Sequence, residues 1–385
     1  MGHLIKDLQQ KFIALFGDSQ EDIRYFHAPG RINIIGEHID YNGGYVLPCA
    51  ISMGTYALFR KRGDQVARFA STNFEQAVDI SLESVAYEPS HDWANYPKGV
   101  LHSLQHKGCK ITGFDVLFSG NIPNGAGLSS SASIELVMAT ALNVVFSLGF
   151  EMLDLVKIAQ YSENNFCGVN CGIMDQFAVG MGKKDFAIYL HCNSLDYEYI
   201  PLNLGDYKII IMDTNKRRRL NESKYNERRA ECEEALKILP LTDLSPEHFD
   251  EKSLLIKDEI IRKRAKHVVY ENARVKQAIT ALNAGNIHTL GELLTASHNS
   301  LRYDYEVSCI ELDTIVNIAL QTHGCIGARM TGAGFGGCAI ALVNRKNTDD
   351  FIKTVSSKYE KAISYAPSLY LQESGDGARE EFLLD

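Results

Sequence analysis

The chain has 385 residues, of which 45% are hydrophobic and 23% charged, and its formal net charge is −9. That length exceeds one ordinary core and implies two domains or one large α/β domain. A net acidic chain lacks the excess Lys and Arg that displaces counterions from a phosphate backbone. Nucleic-acid binding is therefore excluded as its main function, while a local site for a small anion is not.

The opening stretch MGHLIKDLQQKFIALFG spreads its charges among apolar residues at helical spacing. It reads as a surface helix and not as a signal peptide. Residues 30–45, GRINIIGEHIDYNGGY, place Arg31, Asn33, Glu37, His38, Asp40, Tyr41 and Asn42 around the apolar pair Ile34-Ile35. A strand and its following turn would present hydrogen-bonding groups of both polarities to a small molecule. Strand-like runs cover 45–60, 113–120, 186–190, 207–214, 338–343 and 368–374. Helix-like runs cover 132–148, 151–165, 222–239, 266–283 and 308–323. Strands and helices mix without strict βαβα alternation, so the expected fold class is α+β in two lobes. The lobes are expected at 1–200 and 201–385, divided where Pro201 and Gly205 interrupt two strand-like segments. The charged stretch 240–265 reads as a helical surface insertion.

The longest uncharged run, residues 136–150, has 15 residues. A bilayer span needs about 18–20, so this is expected to be a buried helix, and no membrane partner is expected. With no export signal, the nine cysteines are expected to be reduced thiols in the cytoplasm.

Two glycine-bearing segments follow. In SGNIPNGAGLSSSASIELVMATALNVV, an apolar strand leads through Pro123, Asn124, Gly125, Ala126 and Gly127 to serines and a long helix. Glycines let the backbone approach a ligand, and the unpaired N–H groups opening the helix suit a phosphate chain. Ser129, Ser130, Ser131 and Ser133 are expected to add hydroxyl donors. The Walker A lysine is absent, so this is a different kind of phosphate loop. In GARMTGAGFGGCAIALV, Gly332, Gly334 and Gly337 satisfy G-x-G-x-x-G. A dinucleotide fingerprint opens a helix, whereas this one leads into a strand-like run, so the Rossmann reading fails. Between the two segments, Asp175 sits in an apolar patch, and Glu163 with a serine hydroxyl could serve Mg²⁺.

Together the three segments resemble those of the small-molecule kinase superfamily that includes galactokinase, homoserine kinase, mevalonate kinase and phosphomevalonate kinase. Residues 30–44 resemble the galactokinase signature in particular. The resemblance implies two α+β lobes with the active site between them, and ATP and Mg²⁺ as cofactors. It implies Asp175 as catalytic acid with Arg31 paired to it, and Arg31, Glu37, His38, Asp40, Gly172, Asp175 and Tyr225 as sugar contacts. It implies a nucleotide site of Pro123, Gly125, Ala126, Gly127, Leu128, Ser129, Ser130, Ser131 and Ala132, with Trp93 as an adenine-stacking ring. As the chain's single Trp, Trp93 could equally be core. Ser131 and Glu163 match the metal ligands. One arginine of the run at 216–219 (Arg217, Arg218, Arg219) could reach ATP phosphates, although such runs are usually solvated faces.

A hexose carries hydroxyls that both donate and accept around an apolar ring, which fits carboxylates accepting while Arg31 and His38 donate. A carboxylate-bearing substrate would need a net positive pocket, and this segment offers three acids. The expected reaction is ATP-dependent phosphorylation of the C1 hydroxyl of galactose. The alternatives are a kinase for a related sugar such as N-acetylgalactosamine and a non-catalytic sugar sensor. No obligatory protein partner is evident.

Overall fold

The fold is that of a computed structural model, which describes residues 2–123, 125–216 and 221–382, the side chains of 2–4 and 221–223 aside. The first half runs through helix α1 (Gly2–Phe16) and strands β1 (Arg24–Asn33), β2 (Tyr45–Val46), β3 (Pro48–Lys61), β4 (Val66–Ser71) and β5 (Val78–Ser81). It continues through α2 (Asn95–His106), β6 (Phe114–Gly120), α3 (Ser130–Val145), α4 (Met152–Asn165), α5 (Met174–Met181), β7 (Phe186–His191) and β8 (Tyr197–Pro201). The second half begins with β9 (Tyr207–Asp213), α6 (Asn221–Leu236), α7 (Pro246–Lys252), α8 (Glu259–Asn283), α9 (Ile287–Tyr303) and α10 (Ile310–Leu320). It ends with β10 (Cys325–Met330), β11 (Cys338–Asn344), α11 (Thr348–Ile363), β12 (Ser368–Leu371) and β13 (Arg379–Glu381).

Three sheets result, ordered β13-β1-β3-β6-β4-β5, β10-β11-β9-β12 and β2-β7-β8. Among the described residues only β4 and β6 pair in parallel; the other strand pairs are antiparallel, as is common in α+β folds. Residues 202–206 separate β8 of the small sheet from β9 of the four-stranded one, and β13 returns the chain to the edge of β1.

Helix α3 is apolar on nearly every side, with Ala132, Leu136, Val137, Met138, Ala139, Ala141 and Leu142 all buried. It packs on β1 and β3 and against α2, α4 and α5, which explains the long uncharged run without a membrane. Among the described residues no helix is long and apolar enough to cross one. The stretch 240–265 is not simply a surface insertion. Leu241, Phe249 and Ile256 are buried, and Asp258 caps α8 by accepting from the Ile260 and Ile261 amides at 2.8 and 3.1 Å. Its sparse apolar residues anchor the segment while its many charges face water.

Candidate active site

The turn from β6 to α3 takes the positive φ values that its glycines permit: 74° at Gly125 and 75° at Gly127. Ser129 follows at 63° and opens α3, whose first-turn amides have no acceptor within the helix. Pro123 is half-buried and Gly125 exposed, while Ala126, Leu128 and Ala132 are buried, so those last three offer only backbone. The serines divide by role. Ser133 is fully buried and donates to the Ala28 carbonyl at 2.8 Å. That corrects the expectation that its hydroxyl serves a ligand, because the strand below has already claimed it. The Ser129 hydroxyl donates to Asp175 Oδ2 at 2.6 Å. Exposed Ser130 and half-buried Ser131 remain at the helix mouth.

Arg31 meets this loop from below. The register of β1 against β3 shifts between Pro29 and Arg31, and such a bulge re-aims the side chain that follows it. A Cβ at Gly30 would lie 2.8 Å from the Leu128 carbonyl, so only glycine lets strand and loop approach this closely. The Arg31 amide then donates to that carbonyl at 3.1 Å. Its guanidinium donates from Nη1 to the Gly127 carbonyl at 2.7 Å, and from Nε and Nη2 to the two Asp175 oxygens at 2.8 Å each. Asp175 occupies the first turn of α5, where the helix dipole favours a carboxylate. Burial opposes the charge on Arg31, but Asp175 and Glu37 more than offset it and raise its pKa.

Arg31, Glu37, His38, Asp40, Gly172, Asp175 and Tyr225 all line one cleft. Tyr41 and Gly332, singled out in the sequence but not as sugar contacts, line it too, as do Cys171, Met174 and Ala333. Glu37 is buried, and its Oε1 accepts from the Thr331 hydroxyl at 2.9 Å and the Gly332 amide at 2.8 Å. The third glycine segment is thus the β10–β11 turn, and it supports the sugar-type segment. A Cβ at Gly332 would sit 2.9 Å from the Gly127 carbonyl, so the two glycine segments touch.

Burial, with His267 second, pushes His38 down to about 3. The ring is therefore neutral and donates at one nitrogen only. Its Nδ1 is 2.8 Å from the Tyr41 hydroxyl, which is 2.7 Å from that of Tyr305. Tyr225, on α6, sets its ring 5.8 Å from His38 and 5.2 Å from Tyr41.

Burial, then the charge of Asp175, raises Asp40 to about 7. Between its ordinary value near 3.8 and 7, the folded chain holds a proton that the unfolded chain releases, so this group costs stability as pH rises. Asp40→Asn is expected to gain Tm over the native chain progressively from pH 5 to 7 and to level off above, by a few °C. Parallel melting curves at pH 5, 6, 7 and 8 check this, and a pH-independent difference contradicts it.

Glu163, on α4, lies beside the loop. Ser131 hydrogen-bonds it, and Gln176 Nε2 donates to its Oε2 at 2.5 Å. A carboxylate and a hydroxyl are hard oxygen donors that fit Mg²⁺, provided phosphates and water complete the shell. Among the described residues, no three His, Cys, Asp or Glu are grouped so as to hold a metal by themselves. Trp93 is buried, with its indole stacked on Phe74 at 5.9 Å, the environment of a core aromatic. Arg217, Arg218 and Arg219 lie outside the described residues, as does Asn124.

Comparison with known proteins matches the galactokinase galactose-binding signature at residues 10–61. The GHMP kinases N terminal domain matches at 95–183, and the GHMP kinases C terminal domain at 278–361. Galactokinase of Clostridium tetani is 54% identical over 384 residues, covering 98% of this chain and 97% of that one. The crystal structure of Lactococcus lactis galactokinase complexed with galactose superposes with a TM-score of 0.94 at 48% identity, covering 98% and 99%. Methanococcus jannaschii mevalonate kinase, at 20% identity and a TM-score of 0.67 over 93% of this chain and all (100%) of that one, shares the fold. With the signature, both kinase domains and full-length relatives in agreement, the chain belongs to the galactokinase family.

Proposed function

We propose that the chain transfers the γ-phosphoryl group of ATP to the C1 hydroxyl of α-D-galactose, giving galactose 1-phosphate and ADP. One observation carries the reading: the Arg31 guanidinium grips Asp175 in the polar cleft and the Gly127 carbonyl in the loop at once. A sugar hydroxyl beside Asp175 and a phosphate chain over the loop would then meet within bonding reach. Phosphoryl transfer depends on positioning and charge stabilisation more than on covalent help.

Glu37 and Asp40 accept from sugar hydroxyls, while Arg31, His38 and Tyr225 supply donors, and Gly172 leaves room for Asp40. A wrong epimer strands desolvated groups at roughly 1–3 kcal/mol each. Asp175 orients the attacking hydroxyl and accepts its proton as the new P–O bond forms. A carboxylate is a far weaker base than an alkoxide, so the proton moves late. Arg31 stabilises the charge that develops between nucleophile and phosphoryl group. The backbone from Pro123 to Ala132 and the Ser130 hydroxyl cradle the phosphates. Ser131 and Glu163 would hold Mg²⁺, which when bound neutralises phosphate charge. The nine cysteines are all free, which supports a reducing compartment such as the cytoplasm.

Incubation with Mg-ATP and a panel of hexoses, with NMR identifying the phosphorylated carbon, tests the reading. Galactose phosphorylated at C1 is expected. Preference for N-acetylgalactosamine would make it a related sugar kinase, and sugar binding without ATP consumption would make it a sensor. Ser131→Ala is expected to raise KM for Mg-ATP about 10-fold while calorimetry finds galactose affinity unchanged. Lost sugar binding with intact nucleotide binding would reverse the assignment of ligands to subsites.

A further inference from the structure

The turn that carries Glu37 is held from the second half of the chain. At Gly36, φ is 103° and a Cβ would lie 2.8 Å from the Tyr45 carbonyl, so the backbone path needs glycine and leaves two amides pointing away from β3. Both reach one buried carboxylate. The Gly36 and Glu37 amides donate to Glu271 Oε1 at 3.0 and 3.3 Å. The same oxygen accepts from the Ser297 hydroxyl at 2.6 Å, and Oε2 accepts from Arg274 Nε at 2.7 Å. Burial works against the charge on Glu271, yet Arg274, His267, Arg329 and Ser297 reverse that effect and hold its pKa near 2.

One turn earlier on α8, His267 Nε2 donates to the Glu37 carbonyl at 3.0 Å. A carbonyl only accepts, so the proton sits on Nε2. Arg329 Nη2 stands 3.2 Å from Glu37 Oε1, alongside the Thr331 and Gly332 donors. Amide, carbonyl and carboxylate of Glu37 are each fixed by residues more than two hundred positions away. None of Glu271, His267 or Ser297 lines the cleft.

We propose that Glu271 is a positioning residue for sugar recognition: by pinning the Gly36 and Glu37 amides it aims the Glu37 carboxylate into the cleft. The proposal rests on the galactokinase reading. A carboxylate accepting from adjacent amides fixes both peptide planes, and so the direction in which the Glu37 side chain leaves the backbone. Because Ser297 and Arg274 hold Glu271 in turn, its position is set before any sugar arrives.

The test is Glu271→Gln, which keeps shape and removes charge. KM for galactose is expected to rise at least about 10-fold, with kcat and KM for Mg-ATP within roughly twofold of native. A merely structural role would lower Tm and the folded fraction, neither of which changes KM. An unchanged galactose KM overturns the proposal, as does a fall in kcat with KM for both substrates intact. If Glu271→Gln does not fold, Ser297→Ala decides. It is expected to raise galactose KM about threefold with Mg-ATP KM unchanged, and no change overturns the proposal. Calorimetry with galactose on native chain and variant separates the two readings. Native chain that binds no galactose defeats the galactokinase reading, whereas equal binding by native chain and variant defeats only the role of Glu271.

Discussion

Asp175→Asn is expected to lower kcat at least about 10²-fold, with galactose affinity within roughly threefold of native. The substitution is isosteric. With its carbonyl at the Oδ2 position it can still accept from Arg31 Nη2 and from the Ser129 hydroxyl, which now bond that oxygen at 2.8 and 2.6 Å, while the bond from Arg31 Nε is lost. The sugar pocket therefore keeps its shape. What disappears is the second charged oxygen and the capacity to take a proton from the attacking hydroxyl. Both losses act at the transition state, so they appear in kcat and not in ground-state binding. Arg31 also loses its charged partner in a site where its side chain is only 5% exposed, and Tm should fall. Steady-state kinetics beside calorimetric galactose binding checks the split. Near-normal turnover would remove Asp175 from both proton acceptance and orientation. A large loss of sugar affinity would instead make it chiefly a sugar ligand.

The segments that could be read from the sequence are those whose chemistry is local. Residues 30–45 hold four of the seven predicted sugar-cleft positions (Arg31, Glu37, His38 and Asp40) in one strand and turn, so their polar density stands out against an apolar background. Helix α3 and its glycine turn were legible for the same reason. The supports of that segment were not. Glu271 and His267 lie on a helix whose buried face carries Arg264, His267, Glu271 and Asn272. A helix face of that kind reads as solvated, because the partners that satisfy it come from distant parts of the chain. Helix α9 escaped for a different reason. Its Gly291 resembles a helix breaker, yet a Cβ there would lie 2.3 Å from the Ile326 carbonyl, so the glycine exists to let α9 lie on β10. The serine run after Gly127 looked uniform, and only the backbone twist at Ser129 separates the hydroxyl facing Asp175 from the one facing Ala28.

Gly172→Ala is expected to weaken galactose binding about 10²-fold while leaving Tm nearly unchanged. A Cβ at this position would lie 2.0 Å from Asp40 Oδ2 and 2.7 Å from its Cγ. No positive φ is involved and the crowding is with one side chain, so the backbone need not move. Asp40 can rotate away, which makes the added methyl cheap for the fold. For the ligand it is costly, because a turned carboxylate no longer meets sugar hydroxyls, and each charge-assisted hydrogen bond lost is worth about 1.5–3 kcal/mol. Turning also takes Asp40 off the site where burial, then Asp175 and Glu37, raise its pKa, so the variant should lose the pH-dependent stability difference from Asp40→Asn. The two residues act as one unit, and their effects should not add. Gly172→Ala introduced beside Asp40→Ala should change galactose affinity no more than about twofold beyond Asp40→Ala alone. Full additivity in that cycle would show that the glycine serves the sugar by some route other than Asp40.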